Sequence, residues 1–246
     1  MIEKDIGFVL KRHDFRETSV IVNLFTLRHG RITGILKGFY TLKKEFSSPL
    51  TLFSLNEYVL YPKKREIWLV SYVDLIAAYE YLRRDREKAN AAAVCFRLVE
   101  KGLPLWEMNP FLFSLLEQTL HSLRTHPGHK VIPAFVIQFL THSGVQPELT
   151  SCIMCRTPLR GGMWFSIAKG GLICPGCVTA APDARPMSRE TVSSFLFLQR
   201  QDFPIALRLR MSMKSRDELD SVLSRFCGFH LGVDLFLRNR TAGVST

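Results

Sequence analysis

Four cysteines constrain this chain more than any other feature: Cys152, Cys155, Cys174 and Cys177, in the pattern Cys-x2-Cys-x18-Cys-x2-Cys. Two residues between cysteines let both sulfurs of one tight turn face a single ion, and two such turns supply the four thiolates of a tetrahedron. The spacing predicts a zinc ribbon holding one structural Zn2+. A catalytic zinc does not fit, because four thiolates leave no open position for water or substrate. Two other readings compete, a pair of disulfides and a redox-active Cys-x-x-Cys. The intervening segment suits a ribbon. Gly161-Gly162 turns the chain, Met163-Trp164-Phe165-Ser166-Ile167 reads as a strand, Gly170-Gly171-Leu172-Ile173 leads into the second knuckle, and Pro175-Gly176 is turn chemistry. Cys95 and Cys227 lie in helical patterns and read as small buried hydrophobes.

Composition narrows the class. With 47% hydrophobic and 22% charged residues, the 246-residue chain can bury a core, which excludes a disordered protein. No apolar run approaches the roughly 18–20 residues of a membrane span, so no transmembrane helix is expected, and no membrane is counted among the expected partners. The charged opening Met1-Ile2-Glu3-Lys4-Asp5 lacks the apolar region of a signal peptide, and a cytoplasmic location is expected. The net charge is +11. It divides as +3 over residues 1–80, +2 over 81–150 and +6 over 151–246, with no polybasic run. A broad positive field suits a polyanionic partner such as nucleic acid or a membrane surface.

Residues 1–80 read as five short strands: Ile6 to Leu10, Ser19 to Phe25, Arg31 to Gly38, Leu52 to Leu60 and Ile67 to Val73. Gly30, Gly34 and Gly38 suggest bulges or corners. Five strands in so short a span predict a small closed barrel, with the OB-fold the natural candidate and an SH3-like barrel its competitor. From residue 81 the pattern turns helical. Helices are expected over Arg84 to Lys101, from Asn109-Pro110 to Leu123, from Pro133 to Gly144, over Arg189 to Gln199, and from a Ser215-x-x-Glu218 capping box to about Leu237. The expected organisation is α+β and multidomain. An OB-fold spans 1–80, and a mainly helical domain spans 81–246 with a zinc knuckle at 150–180.

The loops of the first domain carry the candidate nucleic-acid contacts: Lys11, Arg12 and Arg16 before the second strand, Arg28 and Arg31 around the next turn, and Lys37, Lys43 and Lys44 after the third. Phe15, Phe39 and Tyr40 are the aromatics at hand. A basic groove that follows phosphates, with aromatics for stacking, is how single strands are held. Seven histidines are scattered, and none pairs with a cysteine or carboxylate at motif spacing. There is no GxxxxGK[ST], HExxH or GxSxG, so no catalytic residues are assigned and no enzyme is expected.

The stretch Arg12-His13-Asp14-Phe15-Arg16-Glu17-Thr18-Ser19, then Leu24-Phe25-Thr26, His29-Gly30-Arg31-Ile32 and Lys37-Gly38, resembles the opening of the bacterial recombination mediator RecO family. The order of basic barrel, helices, cysteine quartet and closing helix is similar to that family across nearly the whole chain. The resemblance implies an N-terminal OB-fold, a C-terminal helical domain with a zinc knuckle, and a non-enzymatic role in DNA repair. It implies binding of single- and double-stranded DNA, annealing of complementary strands, and action with RecR, and in some settings RecF, to load RecA onto strands covered by single-stranded-DNA-binding protein. The acidic, hydrophobic C-terminal tail of that protein is an implied partner, and nucleoid association an implied location. One departure stands out. After Lys37-Gly38 the family continues with small and basic residues, whereas here Phe39-Tyr40-Thr41-Leu42 displaces the charge to Lys43-Lys44. Some members lack the cysteines, in keeping with a stabilising zinc.

Annealing requires neutralising two backbones at once, and positive charge at both ends of the chain permits it. The C-terminal candidates are Arg189, Arg200, Arg208, Arg210, Lys214 and Arg216. The alternatives are a zinc-ribbon scaffold whose helices bind other proteins beside a purely structural barrel, and a nucleic-acid-modifying enzyme, which the missing motifs disfavour.

Overall fold

A computed structural model describes residues 2–41, 46, 48–63, 66–159 and 161–235. The chain forms two compact units, Met1–Gly128 and His129–Thr246.

The first unit begins with β1 (Glu3–Phe15), β2 (Ser19–Thr26), β3 (Gly30–Leu36), β4 (Leu55–Tyr61) and β5 (Trp68–Ala77). They close into a barrel in the order β1-β2-β3-β5-β4, antiparallel except for the short β3–β5 pairing. This is the five-stranded OB-fold barrel. Alternation drives it: β3 reads buried, half-buried, buried along its whole length. Val9, Val20, Val22, Leu24, Ile32, Tyr58, Leu60 and Val70 fill the interior. Gly34 is where β3 passes closest to β5, since a Cβ there would stand 2.7 Å from Val70 Cγ2.

β1 runs five residues past the expected Leu10. Lys11, Arg12, His13, Asp14 and Phe15 pair with β2 down to Phe15 opposite Ser19. A bulge between Val9 and Lys11 lets the ladder continue. The segment read as a loop is therefore a projecting hairpin arm, held by backbone pairing rather than by burial. Lys11 and Arg12 lie in a strand.

The helices α1 (Tyr81–Arg84), α2 (Arg86–Gly102) and α3 (Pro110–Ser122) complete this unit. Asp85 caps α2 by accepting from Glu87 N and Lys88 N, and Asn109 caps α3 by accepting from Leu112 N, with Pro110 at the first turn. These helices pack on the barrel. Phe8 of β1 meets Phe96 and Phe113, and Phe25 of β2 meets Phe113 at 5.6 Å between centroids. Burying Phe8 and Phe25 needs α2 and α3, so the compact unit around the barrel extends to Gly128.

The second unit follows α4 (Gly128–His142) with a three-stranded sheet of β6 (Trp164–Ser166), β7 (Gly171–Ile173) and β8 (Arg185–Pro186). Then come α5 (Arg189–Arg200), α6 (Phe203–Ala206) and α7 (Met213–Leu231). Pro133, expected to open α4, lies inside it. The helix starts a turn earlier and forgoes the bond a residue-133 N–H would make. The expected capping box is also redrawn. Ser212, not Ser215, caps α7 by accepting from Ser215 N, and α7 ends at Leu231 against left-handed Gly232. Glu218 instead reaches the start of α5, accepting from Ser188 N and Ser188 Oγ at 3.1 and 2.7 Å.

Candidate nucleic-acid interface and metal centre

The projecting β1–β2 hairpin organises the basic residues of the barrel. Its turn, Arg16 to Thr18, places Arg16 in the left-handed region at φ 56°. The Arg16 guanidinium lies 5.2 Å from the centroid of the exposed Phe15 ring. Beside the arm, Tyr40 N donates to Thr18 O and brings in the turn after β3. The Arg12 guanidinium sits over Phe39 and Tyr40, 5.1 and 5.9 Å from their centroids, and donates to Pro49 O at 2.7 Å. The Tyr40 hydroxyl donates to Asp14, and this bond together with Arg12 holds the Asp14 carboxyl below its ordinary pKa. Tyr40 is 42% exposed and Phe15 37%. Aromatic faces and guanidiniums thus share one rim, the combination that stacks bases and follows phosphates.

The structure sorts the eight basic candidates. Arg12 and Arg16 stand on this rim, and Lys37 is exposed just after β3. Lys11 projects from β1 but ion-pairs with Glu100 of α2 at 3.5 Å. Arg31 is turned inward. Its guanidinium donates to Leu103 O, its Nε is buried without a partner among the described residues, and burial lowers its pKa, with Glu100 opposing. Arg31 therefore clamps the α2–α3 loop. Arg28 is exposed on a turn whose backbone N–H donates to Asp5. Both ring nitrogens of the neighbouring His29 meet carboxylates, Asp5 Oδ2 at 2.8 Å and Glu3 Oε2 at 2.7 Å. Lys43 and Lys44 lie outside the described residues. Sequence reading missed the Arg12–Asp14–Tyr40 cluster, because its partners are 26 and 28 residues apart and only the hairpin brings them together.

In the second unit, Cys152, Cys155, Cys174 and Cys177 converge, their sulfurs all within 4.8 Å of one another. Cys155 Sγ and Cys174 Sγ are 3.7 Å apart. Thiolates at ~2.3 Å around one tetrahedral ion stand about 3.8 Å apart, so the quartet fits a metal ion. Backbone order sets the cluster. Ile153 N donates to Leu172 O, and Glu148 exchanges backbone bonds with Gly170 and Leu172, pinning the first knuckle to the β6–β7 hairpin. Gly171 permits that approach, since a Cβ would lie 2.8 Å from Glu148 O. Burial alone would raise the Cys152 thiol. The N–H groups of Cys155, Cys174 and Met154 outweigh it and bring the pKa down to about 6. Thr157 lowers that of Cys155. Cys177 is pushed up to about 12, first by hydrogen bonding of its thiol to the sulfurs of Cys174 and Cys155. Among the described residues, the apolar cluster around the site has Cys152, Ile173, Ala181 and Ala184 as its buried members.

Arg189, Arg200, Arg208, Arg210 and Lys214 are exposed on α5, α7 and the intervening chain, and Arg216 is half-buried. No described helix is long and apolar enough to cross a membrane. Cys95 and Cys227 are buried, and burial raises both thiols.

An OB-fold barrel with an aromatic and basic rim, followed by helices that carry a four-cysteine centre, defines a class of multidomain OB-fold proteins. Comparison with known proteins gives the family. The model of the Recombination protein O N terminal matches residues 1–79, and that of the Recombination protein O C terminal matches residues 83–238. Among similar curated proteins is the DNA repair protein RecO of Alkaliphilus metalliredigens, 29% identical, with 94% of each chain covered. The proteins of that name from Desulforamulus reducens and Syntrophus aciditrophicus are 27% and 29% identical, covering 92% and 94% of this chain and 88% and 92% of theirs. The chain belongs to the RecO family of DNA repair proteins.

Proposed function

We propose that the protein is a non-enzymatic DNA-binding recombination mediator. It binds single- and double-stranded DNA and anneals complementary strands. With RecR, and RecF where present, it helps load RecA onto strands covered by single-stranded-DNA-binding protein, whose C-terminal tail it engages. It works in the cytoplasm at the nucleoid. The observation that carries this reading is the rim on which Arg12 lies over Phe39 and Tyr40 beside Phe15 and Arg16. Exposed aromatics next to unburied guanidiniums take bases and phosphates together. The exposed cations of α5 and α7 offer a second backbone its counter-charge.

The metal is one structural Zn2+, held by Cys152, Cys155, Cys174 and Cys177. When bound it supplies charge neutralisation for the thiolates and a cross-link between the two knuckles. A core as small as the one around the quartet depends on such a staple.

The test is binding of a fluorescent oligothymidylate across a salt series. Affinity that falls steeply with salt, and falls further in the Arg12→Ala/Arg16→Ala double variant, supports the reading. Salt-independent binding or none counts against it. A protein-binding scaffold is the second reading, favoured by Leu105, Trp106, Met108 and Phe111, all exposed on the α2–α3 loop and the start of α3.

A further inference from the structure

A cleft of roughly 570 Å3 opens in the first unit where β5 gives way to α1, beside the end of α3. Tyr79, Glu80, Tyr81, Arg84, His121 and Arg124 line it. Tyr79 is only 9% exposed, and among the described residues its buried hydroxyl has no hydrogen-bond partner. A buried polar group without a partner is costly and points to a ligand or water that is to complete it. Tyr79 also sits at φ 47°, the left-handed region that a bulky side chain rarely adopts. Strain of this kind collects at ligand sites.

The cations of the cleft are poised. Arg124 lies 5.5 Å from the centroid of the Tyr81 ring, whose hydroxyl is anchored by donating to Leu120 O. The His121 ring stands edge-on to Tyr79 at 5.6 Å. Arg84 and Arg124 are exposed, and among the described residues neither guanidinium is in an ion pair. The opposing charges are Glu80 in the lining and Glu117 near Tyr79. Lys88 donates to Arg124 O but is neutralised by Asp85 at 3.6 Å. The lining therefore carries two guanidiniums against one carboxylate, together with the rings of Tyr79, Tyr81 and His121.

We propose that this cleft binds a nucleotide unit through its phosphate. Arg84 and Arg124 clasp the phosphate oxygens, the Tyr79 hydroxyl supplies a hydrogen bond to the ligand, and Tyr81 and His121 offer surface to the base. Guanidinium forks match phosphate geometry, aromatic faces accept any base, and the volume suits a ligand of this size. The inference rests on the DNA-binding reading for the source of the nucleotide, and it adds a site distinct from the Arg12–Tyr40 rim of the barrel.

The experiment uses the full chain and its Arg84→Gln/Arg124→Gln variant, with oligothymidylate, thymidine 5′-monophosphate and inorganic phosphate as probes. His121 ring resonances report the cleft, and oligothymidylate affinity across salt reports strand binding. The double variant should lose roughly tenfold in oligothymidylate affinity, and its slope of log affinity against log salt should fall by about 0.7, the share of one single-strand phosphate. Resonances moved by the monophosphate or by phosphate in the parent protein alone support the site as one for free nucleotides. Resonances moved only by the oligonucleotide support it as one for a strand. Unchanged affinity and slope in the variant, with His121 unmoved by every probe, overturn the proposal while leaving strand binding at the barrel intact. A parent protein that binds no oligothymidylate, yet shows His121 shifted by the monophosphate, sinks the DNA-binding reading and keeps the cleft.

Discussion

The Arg12 guanidinium donates to the Tyr40 hydroxyl oxygen at 2.7 Å, while that hydroxyl donates onward to Asp14 Oδ1 at 2.5 Å. One chain of bonds thus fixes the hairpin arm, the turn after β3 and the pose of an exposed aromatic ring. Base stacking on such a ring contributes about 1–3 kcal/mol. Tyr40→Ala should therefore lower affinity for single strands by about 5- to 150-fold. Lys11→Ala should change it less than about twofold, because an ion pair with Glu100 already occupies Lys11. Fluorescence anisotropy with a labelled oligonucleotide reads both.

Removing the metal should unfold the knuckle region. Apparent zinc-binding free energies in small thiolate sites are about 10–16 kcal/mol, far more than the few buried side chains around Cys152 supply. Elemental analysis should find one zinc per chain. Chelation, or Cys174→Ser, should lower the melting temperature and strip protection from the amides of β6 and β7 in hydrogen exchange. A metal-free chain with an unchanged melting temperature speaks against the structural role.

Gly30→Ala should cost about 2–3 kcal/mol. Gly30 lies at φ 65°, and an added Cβ would sit 2.0 Å from Glu107 O, a backbone atom of the loop that Arg31 clamps. Chemical denaturation measures the loss. Arg31→Ala should likewise destabilise rather than selectively weaken DNA binding.

Asp220 supplies a pH signature. Burial raises its pKa to about 6, opposed by Arg216 and aided to a lesser extent by Asp217, and its Oδ1 is buried without a partner among the described residues. An unfolded aspartate titrates near ~4, so the folded state holds this proton more tightly. Its stabilising contribution is fully present below pH ~4 and is lost as pH rises through about 6. With the side chain partly exposed, screening reduces the effect to about 1–2 kcal/mol. Asp220→Asn should raise stability at pH 7 and flatten this part of its pH dependence, read by thermal melts across the range.

The parts of this structure visible in the sequence are those whose cause is local. Cys-x2-Cys repeated at ribbon spacing announces its cluster, and the β-branched run Val20-Ile21-Val22 announces β2. The Asn109-Pro110 and Ser188 caps are equally local. What stayed hidden depends on distance along the chain. Lys11 to Phe15 look like a polar loop, because a hairpin arm outside the core needs no apolar alternation. Arg31 looks like a free cation because its acceptor, Leu103 O, is 72 residues away. Ser215 and Glu218 match a capping box, yet Glu218 is drawn off to Ser188, 30 residues back. The Tyr79 cleft joins residues separated by a whole helical hairpin and has no spacing signature.

The most direct test of the central claim, that the barrel rim brings complementary strands together, is the annealing rate of two complementary oligonucleotides coated with single-stranded-DNA-binding protein. The parent protein should accelerate annealing, and the Arg12→Ala/Arg16→Ala/Tyr40→Ala variant, folded to the same melting temperature, should lose most of that acceleration. Equal acceleration by both proteins, or none by the parent, would contradict the account.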